Sequence, residues 1–231
     1  LMRRGNATIN ANWSPAATVL TGDVVFARAA KLAAQTGSLT VMEAFAETLA
    51  IMVNGELTQM FDARGLANRE NYYERIYAKT GSLFELSTHG AAIISPVDAK
   101  TVENSRNFGR ELGTAFQIVD DILDFTGDQA AVGKPVGSDL LQGLITLPAL
   151  YYIEANPNDE KVKSLLNGNY HNSKEIAALV EDIRNSDAIQ LALDEAKEYA
   201  NRALQSLNGH PPSEERHALE KLTQYVTNRN V

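Results

Sequence analysis

Cysteine is absent from the 231 residues, which excludes disulfides, thiolate nucleophiles and cysteine-ligated metals. Histidine is scarce. The four present, His89, His171, His210 and His217, show no H-x-x-x-H spacing, so they read as scattered histidines and not as a zinc site. Positive charge is also in short supply: the net charge is -8 and the isoelectric point is near 5.1. That balance argues against a nucleic-acid partner, which normally demands a basic patch. No apolar run reaches the roughly 18 to 20 residues needed to cross a bilayer, and no basic-then-apolar signal peptide is visible. These absences predict a cytoplasmic protein. The chain opens "LMRRGN", with leucine first, and further residues are expected upstream.

The composition is otherwise that of a chain able to bury a full core, with 44% hydrophobic and 22% charged residues. There is no internal repeat, low-complexity tract or linker. Helical periodicity dominates. Ser14 as N-cap and Pro15 at the first position open a helix that runs to about Thr36, with Gly37 as its stop. A second pattern covers 39–65, carrying Leu39, Met42, Phe45, Leu49, Met52 and Val53. A third covers 69–94 and ends at Pro96. The best defined covers 98–127, with Val102, Phe108, Leu112, Phe116, Val119 and Leu123 in register. A Gly-rich loop follows. Residues 138–155 are ambiguous between a buried strand and a helix broken near Pro148, with Ser138 as N-cap favouring the helix. Amphipathic segments at 158–167, 173–208 (broken near Asn185 and Ser186) and 212–228 complete one all-helical domain. Six glycines inside these helices, each costing about 1 kcal/mol against alanine, predict close helix packing or an open cavity.

The segment "FQIVDDILDFTGD" places Asp120, Asp121 and Asp124 within five residues. At 3.6 residues per turn these three and Gln117 fall within an arc of about 100°. Such a fan of carboxylates suits magnesium, which takes carboxylate and water oxygens. A solvated helix end is the bland alternative, although Asp124 stands near a helix C-terminus, where the dipole disfavours negative charge. A calcium loop is excluded because Ile122 occupies a ligand position. "GDQAAVGKP" is not a P-loop, since its spacing is one residue too long and Pro135 replaces the hydroxyl. Elsewhere, "RRG" sets Arg3 beside Arg4, and guanidinium suits bidentate phosphate contacts. "AKTG" puts Lys79 and Thr80 inside an apolar helix, and "GKPVGSD" offers Lys134 on a glycine-rich loop. Dispersed cations plus one carboxylate fan describe a diphosphate held by magnesium.

With these elements in hand, the chain resembles the trans-isoprenyl (polyprenyl) diphosphate synthases. "RRGNATINANW", "GD" at Gly22 and Asp23, "GEL" at 55–57, "KTGSLFE", "GTAFQIVDDILDFTGD" and "GKPVGSDLLQGLITLPALYY" come in that family's order and spacing, over residues 1 to about 155. The last is more like the bacterial-type medium- and long-chain members. The resemblance implies an all-α isoprenoid synthase fold, long helices around a central cavity, and usually a homodimer. It implies a transferase of isoprenoid biosynthesis that condenses isopentenyl diphosphate head-to-tail with an allylic diphosphate, using Mg2+. Carried over by position, Asp120, Asp121 and Asp124 match the second aspartate-rich motif, with Asp120 and Asp124 the foremost metal ligands. Arg3 and Arg4 match contacts to the allylic and isopentenyl diphosphates respectively, and Lys79 and Lys134 contacts to the allylic diphosphate. Thr80 and Gln117 would line the allylic cation with oxygens, and Phe116 would flank the isopentenyl group.

Two departures qualify the match. The family's first aspartate-rich motif stands before "RRG" on a facing helix, and the expected domain, 1–231, therefore lacks its N-terminal helices. Leu144 stands where short-chain members often carry a lysine. A non-catalytic or truncated subunit that pairs with an active synthase is the alternative reading, and a helical terpene cyclase fits the paired arginines and "GKPVGSD" less well.

Overall fold

The computed structural model describes residues 2–3, 5–61, 68–127, 136–168 and 173–229. Arg4, Lys134 and the loop at 128–135 lie outside them, and of Arg3 only the backbone is described. The architecture is all-α, as expected. One element departs from it: strands β1 (Met2–Arg3) and β2 (Asn6–Ala7) pair antiparallel across a turn in which Gly5 adopts φ +76°. A left-handed backbone there suits glycine alone among common residues. The short helix α1 (Ile9–Asn12) follows, also unforeseen.

The long helices match their sequence signals closely. Helix α2 (Pro15–Gln35) starts where Ser14 Oγ accepts from the Ala17 N–H at 3.2 Å. Helix α3 spans Leu39–Phe61. Helix α6 (Ala99–Thr126) is capped by Asp98, whose carboxylate accepts from Thr101 N at 2.7 Å. It is the hub of the molecule. Phe108, Leu112 and Ala115 anchor one hydrophobic cluster, and Ile118, Val119, Ile122 and Phe125 anchor the other. Each such aliphatic or aromatic side chain, fully buried, contributes about 1.5–3 kcal/mol.

The third predicted helix is interrupted. Helix α4 (Arg69–Ile76) passes into a single π-helical turn, Tyr77–Gly81, before α5 (Ser82–Ile93). This turn carries Lys79 and Thr80, and π-bulges of this kind frequently mark functional sites. Glycines let α6 and α3 close on this bulge. A Cβ at Gly113 would lie 2.9 Å from the Cα of Gly81, and one at Gly55 would lie 2.5 Å from the Cβ of Ala78. Close packing is the role of Gly55, Gly81, Gly109 and Gly113, whereas a Cβ at Gly22 or Gly90 would meet nothing within 4 Å.

Residues 138–155 differ from expectation. Helix α7 (Ser138–Leu141) is only a turn long, and the chain then runs without helix through 142–146 before α8 (Leu147–Ala155). Pro148 sits in the first turn of α8, where its missing N–H costs nothing, so it opens a helix instead of breaking one. Nor is Ser138 the N-cap. That position belongs to Gly137, at φ +71°, because the Ser138 hydroxyl is committed elsewhere.

Helices α9 (Glu160–Leu166), α10 (Ser173–Arg184), α11 (Ala188–Ser206) and α12 (Glu214–Thr227) finish the chain near their predicted bounds. Ala188, Ala192, Ala196, Ala200 and Ala203 form a buried stripe along α11, and this stripe lets it lie close against α6. In contrast, α2 has no buried residue at all.

Candidate active site

A cleft opens where α3, the end of α4, the π-turn, α6 and the 139–146 segment approach one another. Gln59, Arg75, Lys79, Gln117, Asp121 and Asp139 are among the groups that line it. Helix α6 supplies Gln117 and Asp121 one turn apart, and the π-turn aims Thr80 across at α6.

A continuous hydrogen-bonded chain runs through the wall of this cleft. Thr80 Oγ1 donates to Gln117 Oε1 at 2.6 Å. Gln117 Nε2 donates to Asp121 Oδ1 at 2.9 Å, and Tyr72 OH donates to Asp121 Oδ2 at 2.8 Å. Tyr72, Gln117 and Asp121 are 1%, 4% and 5% exposed, so the chain is shielded from water. Burial pushes the Asp121 carboxyl up from 3.8 to about 7, the nearby Asp139 charge adding to it and the hydrogen bond from Gln117 opposing it. Burial chiefly, then the Asp121 charge, likewise raises the Tyr72 phenol well above its usual range.

The other two aspartates behave differently. Asp120 is exposed at the surface of α6. Asp124 is half-buried, accepting from Ser138 Oγ at 2.7 Å and from the Asp139 N–H at 3.1 Å. The three acids thus share a helix face but not an environment. Among the described residues no three acidic or histidine side chains converge as a ready-made metal cage. Lys79 is exposed beside the cleft. Phe116 packs against Phe84 with ring centroids 5.4 Å apart, and the Arg229 guanidinium lies 5.1 Å from the Phe116 ring centroid in a cation–π contact. The Nη1 of Arg229 is buried with no hydrogen-bond partner.

Tyr72 and Arg75 escaped the sequence reading, and Ser138, expected as a helix cap, instead holds Asp124. Arg75 donates to the Ile145 carbonyl at 2.6 Å and stacks its guanidinium 5.7 Å from the Tyr72 ring. A signal for Tyr72 existed: it stands seven residues before Lys79, two helical turns, and so on a related face.

Comparison with known proteins decides the family. Residues 1–183 match the family model described as polyprenyl synthetase. The chain belongs to the polyprenyl synthetase family. Solanesyl diphosphate synthase 2, chloroplastic, of Arabidopsis thaliana is 35% identical over 231 residues, covering 99% of this chain but 54% of its own length. Among solved structures, heptaprenyl diphosphate synthase from Staphylococcus aureus superposes with a TM-score of 0.93 at 33% identity, over 100% of this chain and 72% of that one. Polyprenyl synthase from Caulobacter crescentus, solved with calcium and isoprenyl diphosphate, gives 0.89 at 32% identity, over 99% and 71%. The chain therefore spans between about half and three quarters of these relatives' length. Its fold is that of the polyprenyl synthases.

Proposed function

We propose that this polyprenyl synthetase family member is a prenyltransferase, condensing isopentenyl diphosphate head-to-tail with an allylic diphosphate to give a trans-polyprenyl diphosphate. The observation that carries the reading is the juxtaposition around one cleft of Lys79, Asp121 and Gln117, with Thr80 hydrogen-bonded to the Gln117 amide. The Caulobacter relative, crystallised with a divalent cation and an isoprenyl diphosphate, supports the same ligand class.

The residues fit magnesium. Asp120 and Asp124 are hard oxygen donors one turn apart, one exposed and one held in place, and two carboxylates suit an ion that keeps waters and takes substrate oxygens. Asp120 and Asp124 would hold it, and when bound it neutralises charge developing on the departing diphosphate. In the reaction the allylic C–O bond breaks and diphosphate leaves with the electron pair. The isopentenyl double bond then attacks the allylic carbon, and a proton is lost from the neighbouring carbon. Lys79 offers its ammonium to the departing diphosphate. Gln117 and Thr80 turn oxygens toward the allylic cation, and the buried wall behind them excludes water that would intercept it. Arg3, Arg4 and Lys134 complete the diphosphate contacts by resemblance.

A homodimer belongs to the same proposal. Val19, Leu20, Val24, Val25 and Leu32 of α2 are each more than half exposed, as are Leu39, Val53, Met60 and Phe61 of α3. A second copy laid on these helices would remove these side chains from water, and light scattering should report twice the chain mass. Residues 1–231 act here as one helical domain, and the reading places the protein in the cytoplasm. Among the described residues no helix is long and apolar enough to cross a membrane.

The test is product analysis of the full-length protein with Mg2+, isopentenyl diphosphate and an allylic diphosphate. A linear prenyl diphosphate is expected. A cyclic hydrocarbon would instead indicate a cyclase, and no turnover would indicate a non-catalytic subunit.

A further inference from the structure

Asp121 and Asp124 both have engaged oxygens, but Asp124 is half-buried and tied to Ser138 and the Asp139 N–H at the end of α6, whereas Asp121 is buried and its partners belong to the wall of the cleft. Oδ1 accepts from Gln117 and Oδ2 from Tyr72, both along short contacts inside the protein wall. Asp120, by contrast, is exposed to solvent. We propose that Asp121, backed by Tyr72, is a positioning residue that fixes the Gln117 amide and through it Thr80, and is not a ligand of the metal. This rests on the prenyl-transfer reading of the cleft.

The chemistry of the donors dictates the direction of the chain. Both Asp121 oxygens accept, Oδ2 from the Tyr72 hydroxyl and Oδ1 from Gln117, so the side of the Gln117 amide that faces Asp121 is its NH2. The amide oxygen is thereby forced toward Thr80. The Thr80 hydroxyl has one proton and gives it to that oxygen at 2.6 Å. The amide oxygen of Gln117, a residue that lines the cleft, is thereby held as an acceptor beside Lys79. An allylic cation bordered by it meets an electron-rich oxygen and no acidic proton. If the amide turned over, its NH2 would point at Thr80 and toward the developing positive charge, reversing the local dipole.

Tyr72 is what prevents Asp121 from turning away. The phenol approaches from α4, two turns before Lys79, and its ring is held from behind by the Arg75 guanidinium and by the edge of Tyr73, whose centroid lies 5.2 Å away. Four side chains on three elements therefore form one ordered line, from Tyr72 in the core through Asp121 and Gln117, which line the cleft, to Thr80. Outer partners of this kind orient a site without touching substrate, and their loss typically costs about 10- to 100-fold in the property they support.

The experiment uses the full-length protein and five forms: wild type, Asp120→Asn, Asp121→Asn, Asp121→Leu and Tyr72→Phe. Asparagine at 121 can keep the line intact, accepting from Gln117 through its carbonyl and donating to the Tyr72 hydroxyl, while losing the charge a metal would need. Leucine at 121 breaks the line. Binding of Mn2+ in the presence of inorganic pyrophosphate is titrated by electron paramagnetic resonance, and kcat and KM are measured with Mg2+ on both diphosphates. Asp121→Asn should keep its Mn2+ affinity within about twofold of wild type, and Asp120→Asn should lose about tenfold or more. Tyr72→Phe and Asp121→Leu should lower kcat about tenfold or more with KM within about twofold, whereas a merely structural role would lower only the unfolding temperature. Equal loss of Mn2+ affinity in the Asp120 and Asp121 asparagine variants would overturn the proposal. So would an unchanged kcat in folded Tyr72→Phe, which loses a single hydroxyl and keeps its ring packing. A wild type that binds Mn2+ and pyrophosphate yet makes no prenyl diphosphate would sink the functional reading, with the metal arm still deciding the role of Asp121.

Discussion

The Ser138 hydroxyl donates to Asp124 Oδ1 at 2.7 Å, and this contact closes the 136–141 segment onto the end of α6. The neighbouring Asp139 N–H reaches Oδ2 at 3.1 Å, and Gly137 N donates to the Asp124 carbonyl at 2.8 Å. Asp124 lies in the last turn of α6, where the helix dipole opposes a negative charge. Charge-assisted donors from the next segment offset that opposition. Ser138→Ala should therefore lower stability by about 1–2 kcal/mol, since it leaves a carboxylate oxygen short of a partner. Urea unfolding measures this, and Ser138→Thr, which retains the hydroxyl, should recover most of the loss.

Gly137 carries two constraints that can be separated. Its φ of +71° strains any residue with a Cβ, and a Cβ there would also overlap the Val180 side chain on α10. Gly137→Ala should cost about 1–3 kcal/mol from the backbone, with overpacking adding a similar amount. Pairing it with Val180→Ala should relieve the overlap but not the backbone strain. Double-mutant unfolding curves then show coupling of about 0.5 kcal/mol or more. Full additivity would remove Val180 from the explanation.

Much of this was legible in advance, for reasons that lie in local chemistry. Ser14 and Asp98 announced the starts of α2 and α6 because capping needs only a side chain and the three residues after it. The π-turn at Tyr77–Gly81 was not legible, since the inserted residue is set by how closely α6 approaches Gly81 and not by any pattern within the segment. Pro148 was read as a break because its effect depends on where the helix begins, and that is set by the buried Ile145 and Leu147 around it. Helical spacing put Gln117, Asp120, Asp121 and Asp124 on one face, yet spacing is blind to depth. What separates Asp121 from Asp120 is Tyr72, 49 residues away, arriving on another helix.

The raised Asp121 carboxyl gives a pH dependence with a definite sign. Because the folded state holds its proton up to about 7 and the unfolded chain releases it near 3.8, the folded state binds more protons between these values. This group's contribution thus becomes less favourable as pH rises through that window, and is constant beyond both ends. Thermal melts of wild type should lose stability across that window relative to Asp121→Asn, in which the term is absent. Parallel curves for the two proteins would show that the carboxyl is not raised.

Glu195 gathers three donors outside the cleft: the Tyr73 hydroxyl, the Tyr151 hydroxyl at 2.6 Å and the Arg69 guanidinium at 3.3 Å. Arg69 also forks onto Glu154 at 2.8 and 2.9 Å and stacks 4.3 Å over the Tyr151 ring. The cluster ties α4, α8 and α11 together. Glu195→Gln keeps the shape but forces one amide N–H against a donor, and should cost about 1–3 kcal/mol in unfolding free energy. Activity per folded molecule should stay the same, because none of these groups borders the cleft.

The central claim is that Asp120 and Asp124 hold the ion that assists departure of the allylic diphosphate. Prenyl transfer by the full-length protein, compared between wild type and the double variant Asp120→Ala, Asp124→Ala under saturating Mg2+, tests it most directly. The account predicts a fall in kcat of about 100-fold or more, the scale of losing a principal electrostatic stabiliser of the transition state, in a protein whose circular dichroism remains helical. Unchanged prenyl transfer by the double variant would contradict it.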